Sequence, residues 1–258
     1  MTQALNTNLE STKAHPVSPW SLGLAAARRN AVPAVFLALF ALTLGLSYAF
    51  VGPVHNAFDR FADWREKLVF PLNWAFPAIT TAFFGAIVPW LVQRLRPNPE
   101  DRPNARDLAY FTGFWALKGI EIHVLYIVLD AVIGSGASVG VILGKLAFDM
   151  GFYCPVWAVP TTLLAYQFRE RGFSWSGVRD GPLAHGFKHW VRWSVLPVVV
   201  NNWFVWIPAV IVIYTMPLAL QLPFQNLVLC FWCLVLAFLS DAVTNGQDSA
   251  ARQAEVAA

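Results

Sequence analysis

Four ionisable side chains, Lys118, Glu121, His123 and Asp130, stand inside one apolar stretch between Leu108 and Ile133. The next apolar stretch, Val139 to Tyr166, adds Lys145 and Asp149, and a later one adds Asn202. A charge placed at the centre of a membrane helix costs about 2.5 to 3.5 kcal/mol on insertion scales, so such groups turn inward, and they pair. Two kinds of chemistry follow. The groups glue helices together, or they line a polar path and rehydrate passing solutes. At about 100° per residue, Lys118 and Glu121 lie about 60° apart and can pair at i,i+3. His123 and Asp130, seven residues apart, share a face with Tyr126 beside them. Lys145 and Asp149 have i,i+4 spacing. The connection Gly134 to Gly140 is so short that the two helices must be antiparallel neighbours. Folding about position 137 brings Asp130 to Lys145 and sets Asp149 level with Tyr126. A buried Asp130–Lys145 bridge is therefore expected, with His123 and Asp149 deeper in.

Other motifs carry less. Cys230-Phe-Trp-Cys233 has redox or metal spacing, but it lies in an apolar run without the positive surroundings that make a thiolate, so packing is its expected role. All three cysteines, Cys154 included, sit in such runs, which argues against a disulfide framework. His185-Gly-Phe-Lys-His189 places two imidazoles at i,i+4 without a third ligand. An amphipathic helix anchored at headgroups by Trp190 and Trp193 is the expected reading there. Phosphate loops, nucleophile elbows and paired hydrolytic carboxylates are missing from the sequence. No enzyme activity, cofactor or metal site is expected; a membrane enzyme built on His123/Glu121 or His185/His189 is the weaker alternative.

The elements that must position these groups follow from composition. Of 258 residues 57% are hydrophobic and only 13% charged, and mean hydropathy is +0.51. An ordinary globular domain is about one-quarter charged. Such a chain cannot hide its apolar surface from water, and its net charge of +3 forms no stripe suited to nucleic acid. An all-α, polytopic integral membrane bundle is expected, with the lipid bilayer as its main partner. Apolar runs long enough to cross fall at Ala31 to Val51, Phe70 to Val92, Leu108 to Ile133, Val139 to Tyr166, Ser194 to Met216 and Phe224 to Leu239. Prolines within several of them predict kinked helices packed on protein.

Basic residues orient these six runs. One side of the chain collects Lys13, Arg28 and Arg29, the Arg94 to Arg106 connection, the Arg169 to Arg192 connection, and Arg252. The opposite connections hold only Arg60, Arg65 and Lys67. That asymmetry predicts six spans with both termini on the positive, cytoplasmic or matrix-like side. Residues 1–30 read as a disordered or targeting tail, 31–243 as a single transmembrane domain, and 244–258 as a second tail. Phe58 to Leu68 alternates charge with Phe58, Phe61, Trp64 and Leu68 at helical spacing, which predicts a short interfacial helix.

Over residues 71–243 the order of motifs resembles the Mpv-seventeen family, also called the peroxisomal membrane protein twenty-two family. Thr80 and Gln93 stand at the ends of its first motif, although Val88 and Pro89 replace the Gly-Asp between them. Gly119, His123, Tyr126, Leu129 and Asp130 match its second motif. Lys145, Asp149 and Pro155 match its Lys-x-x-x-Asp-Gln with a following Pro, Met150 standing for the Gln. Asn202 to Pro208, Met216-Pro217-Leu218, and Trp232 with Phe238-Leu239-Ser240 are similar to the closing signatures, and Gln221 stands near the family's Arg.

The resemblance implies a small membrane protein of inner mitochondrial or peroxisomal membranes, or of the cytoplasmic membrane in a bacterium. It also implies a channel-like passage of small solutes tied to membrane or organelle homeostasis. The first span lies outside the resemblance, and several polar positions of the family are apolar here. The function expected is small-solute permeation, with Lys118, Glu121, His123, Tyr126, Asp130, Lys145, Asp149 and Asn202 as the pore or helix network. The alternative is a non-conducting scaffold or assembly subunit, and either is compatible with a homo-oligomer.

Overall fold

A computed structural model describes residues 18–95 and 102–232. Every regular element among them is a helix. Helix α1 (Pro19–Arg29) lies in the stretch read from sequence as a tail, and its local chemistry explains the difference. Ser18 and Ser21 form a reciprocal capping box at 3.1 and 2.9 Å, and Pro19 supplies the fixed φ of a first helical residue. Residues 1–17 lie outside the described region. Helix α2 (Ala31–Phe50) follows directly after Asn30, and α3 (Gly52–Glu66) covers most of the expected interfacial segment.

Next come α4 (Leu72–Arg94), α5 (Ala105–Ile133) and α6 (Val139–Glu170), then the short α7 (Trp175–Asp180), α8 (Phe187–Tyr214) and α9, which is described over Leu218–Trp232. Asn104 and Asp107 cap α5 reciprocally, and Gly134 ends it at φ 122°, a conformation that favours glycine. Ser138 then starts α6 by accepting from the Val141 N–H. The two helices turn back on each other within five residues, as the short connection requires.

Four helices are long and apolar enough to cross a membrane: α2, α4, α6 and α8. Helix α5 has the length, at 29 residues, but Lys118, Glu121 and Asp130 interrupt its apolar run. Helix α9 is apolar and shorter, and the expected span Phe224 to Leu239 continues outside the described residues, as do Cys233 and Phe238-Leu239-Ser240.

Proline leaves a legible mark on three of these helices. A proline ring collides with the carbonyl four residues earlier, and a π-type turn gives it room. Pro89 sits four residues after Gly85, inside the π turn Phe83–Ile87. Pro197 bears the same relation to Trp193 in Val191–Val195. The longest such segment, Asp149–Ala158, contains both Gly151 and Val156, the partners of Pro155 and Pro160. Pro77 and Pro208 are accommodated within ordinary α-helix.

Helix α8 is the centre of the packing. Val199, Val205, Ala209, Ile213 and Tyr214 are buried on it, in one apolar cluster with Leu125 and Leu129 of α5 and Leu220 and Phe224 of α9. Gly23 of α1 and Gly45 of α2 bring those helices close to Val200 and Val212 of α8. Large apolar side chains also point outward in rows, among them Val35, Phe36, Leu39, Leu42 and Leu46 of α2. Contiguous exposed patches of this kind are rare on soluble monomers and suit a lipid-facing surface. Trp190, expected at the headgroups, is instead fully buried, with its Nε1–H donating to Gln167 Oε1 at 3.0 Å. The reason is local: α8 begins at Phe187 after Gly186 at φ 88°, which lays its first turn on the end of α6.

Candidate functional site

The polar side chains of α5 and α6 form three small clusters. At the connection end, Lys145 Nζ lies 2.9 Å from Asp130 Oδ1, the bridge expected from sequence. The lysine side chain is 1% exposed and the aspartate 23%, so the ammonium is the buried partner. Toward the other end, Lys118 Nζ donates to Glu121 at 2.9 and 3.1 Å and to Thr161 Oγ1 at 2.7 Å. The Tyr153 hydroxyl donates to the same glutamate. An i,i+3 ion pair on α5 is thus tied to two positions of α6.

Between them lies the third cluster. Asp149 is buried, and its Oδ2 accepts from the Tyr214 hydroxyl of α8 at 2.6 Å. Tyr214 meets Tyr126 edge to face at 5.8 Å, and the Tyr126 hydroxyl donates to Gln225 Oε1 of α9 at 3.2 Å. Four helices converge there. The i,i+4 pairing of Lys145 with Asp149 is not formed among the described residues: the lysine is held by Asp130, and the helix widens from Asp149 onward. That widening turns the carboxylate to α8 rather than back along its own helix.

Tyr214→Phe tests this contact. A hydrogen bond to a charged group contributes about 1.5 to 3 kcal/mol. The substitution keeps the ring contact with Tyr126 and should lower unfolding stability in detergent by about that amount. A transition indistinguishable from that of the unaltered protein would show that the hydroxyl does not support Asp149.

Two expected members stand apart. His123 faces α3 and α4: its Nδ1 lies 3.2 Å from Arg65 Nη2, and its ring meets Trp74 at 5.8 Å. A guanidinium only donates, so Nδ1 accepts and the imidazole proton rests on Nε2. Arg65 also donates to the Leu218 carbonyl at 3.4 Å and to that of Ala219, thereby joining α3, α5 and α9. Burial lowers the pKa of Arg65 from its ordinary value. Asn202 donates to Cys154 Sγ at 3.2 Å rather than to the charged groups, while its neighbour Asn201 accepts from Asn30 at 2.9 Å.

Sequence reasoning did not single out Arg65, Tyr153, Thr161, Tyr214 or Gln225 for the network. Some signal existed. Lys145, Asp149, Tyr153 and Thr161 lie on one four-residue ladder, and Arg65 falls on the apolar side of its helix, four residues after Phe61. A further buried contact, Thr81 Oγ1 to Asn226 Oδ1 at 3.0 Å with Asn226 Nδ2 to Thr80 Oγ1 at 3.1 Å, ties α4 to α9. Among the described residues no group of three or more His, Cys, Asp or Glu is placed to hold a metal, and the His185 and His189 rings lie 5.0 Å apart. Compared with family models, curated proteins and solved structures, the chain finds no match.

Proposed function

We propose that the chain is a six-span membrane protein related to the Mpv-seventeen family, with both termini on the basic side, and that it passes small solutes between helices α5, α6 and α8. The observation carrying this reading is the meeting of Asp130 with Lys145, whose side chain is 1% exposed, beside the buried Asp149. Fixed charges of both signs inside an apolar bundle suit a polar path whose closed state is held by their pairing. Separating the pair would present a carboxylate and an ammonium to an entering solute. The membrane would be mitochondrial inner or peroxisomal in a eukaryote and cytoplasmic in a bacterium.

Purified protein in planar bilayers is expected to conduct, and Lys145→Met or Asp130→Asn is expected to change the open fraction. Silent bilayers from protein shown to be folded would overturn the reading. A second reading is favoured by the completeness of the pairing: Lys118, Glu121, Asp130 and Lys145 all have partners of opposite charge inside the bundle. On that reading the chain is a non-conducting scaffold. Lys145→Met would then lower stability in detergent without any change in permeability.

A further inference from the structure

Helix α1 presents two unlike faces. Pro19, Gly23 and Ala27, at four-residue spacing, are buried, and a Cβ added at Gly23 would come within 2.6 Å of Val200 Cβ. That close approach clamps α1 onto α8, and the Asn30–Asn201 hydrogen bond of 2.9 Å holds its end. Among the described residues the other face is uncovered. Ser21, Leu24, Ala25, Arg28 and Arg29 line a groove of about 370 Å³, and Trp20 is 51% exposed beside it.

Both arginines are exposed, and neither is paired with a carboxylate among the described residues. They occupy the last turn before α2, whose twenty residues are predominantly apolar and carry no charge. An apolar surface, an aromatic with a polar edge and two free guanidinium groups thus meet where a membrane-length helix begins. Each of these suits a different part of one molecule: acyl chain, glycerol level and phosphate.

From this geometry we infer that the α1 groove is a docking site for an anionic phospholipid, with Arg28 and Arg29 holding the headgroup phosphate and Leu24 and Trp20 facing the chain. The inference stands independently of solute permeation. It commits to a lipid rather than a free anion because Leu24, Ala25 and the neighbouring Trp20 put exposed apolar surface beside the two arginines, which inorganic phosphate cannot use.

The test uses the full chain purified in detergent and exposed to phosphatidylglycerol or phosphatidylcholine, with retained lipid counted by native mass spectrometry. The unaltered protein should retain phosphatidylglycerol selectively. A basic residue near an anionic surface is worth about 1 kcal/mol, or roughly fivefold in affinity, so R28Q/R29Q should weaken retention roughly twentyfold or more. R28K/R29K, which keeps both charges, should retain most of it. Arg179→Gln, at an exposed arginine beside Asp180 on α7, should change nothing. Equal retention of both lipids, retention unmoved by R28Q/R29Q, or displacement of the lipid by an equal concentration of inorganic phosphate would each overturn the site.

Discussion

Asp130→Ala should be among the most destabilising single changes in the protein, at about 3 to 5 kcal/mol, whereas Lys145→Met should cost distinctly less. The asymmetry comes from burial. Removing the aspartate leaves an ammonium whose side chain is 1% exposed without the carboxylate that pairs with it, and a stranded buried charge is costly. Removing the lysine leaves a carboxylate 23% exposed, which reaches solvent or headgroups and loses less. Asp130→Asn should fall between the two, because an amide oxygen still accepts one hydrogen bond from Nζ.

The double variant D130A/K145M sharpens the test. A buried ion pair replaced by apolar groups of similar size is often close to neutral, so the double variant should recover most of what D130A loses. Unfolding in detergent, read as a double-mutant cycle, would give a coupling free energy of favourable sign. Two single variants of equal cost, or a double variant whose losses simply add, would mean that the pair does not help to join α5 to α6. Folded fractions from the same experiment also tell whether a change in conductance reflects the path or merely loss of protein.

What could be read beforehand was whatever depends on local spacing. The Asp130–Lys145 bridge follows from a seven-residue connection that leaves two helices no arrangement but antiparallel contact. The Lys118–Glu121 pair follows from helical angle alone. Both depend on few assumptions, and both are present. The expected Lys145–Asp149 pair is not formed because ideal 100° geometry does not hold where the helix widens, and the widened segment, Asp149–Ala158, contains the residues four before Pro155 and Pro160. The prolines were visible, and kinks were expected of them. Their effect on the direction of a particular carboxylate was not.

His123 and Asn202 were misplaced for another reason. Their partners, Arg65 and Cys154, come from elements whose docking is tertiary, 58 and 48 residues distant, and periodicity carries no such information. Trp190 shows the limit of residue-type rules. An aromatic next to a basic cluster ordinarily signals headgroups, yet here the indole N–H has a side-chain acceptor within the bundle. Helix α1 was hidden by its shortness and its Ser and Pro content, although these same residues build its cap.

Gly119→Ala should have the other large effect, because it decides how closely α4 and α5 approach. A Cβ at this position would lie 2.1 Å from the Pro77 carbonyl oxygen and 2.7 Å from Thr81 Oγ1. A long side chain could swing aside, but a helix carbonyl cannot, so the two helices must separate. Separation also strains the Thr81–Asn226 hydrogen bond, buried at 3.0 Å, and moves Lys118, the preceding residue on α5. Alanine favours a helix over glycine by up to about 1 kcal/mol, so on propensity alone the change would stabilise. Overpacking ordinarily costs about 1 to 3 kcal/mol, and contact with rigid backbone puts this site at or above the upper end. The sign is therefore destabilising. Gly113, on the same helix, has nothing within 4 Å of its added Cβ, and Gly113→Ala should be neutral or mildly stabilising. Unfolding of both variants in detergent compares the two directly. If Gly119→Ala were tolerated as well as Gly113→Ala, the close α4–α5 contact would be wrong, and with it the placement of Lys118 and Glu121 inside the bundle.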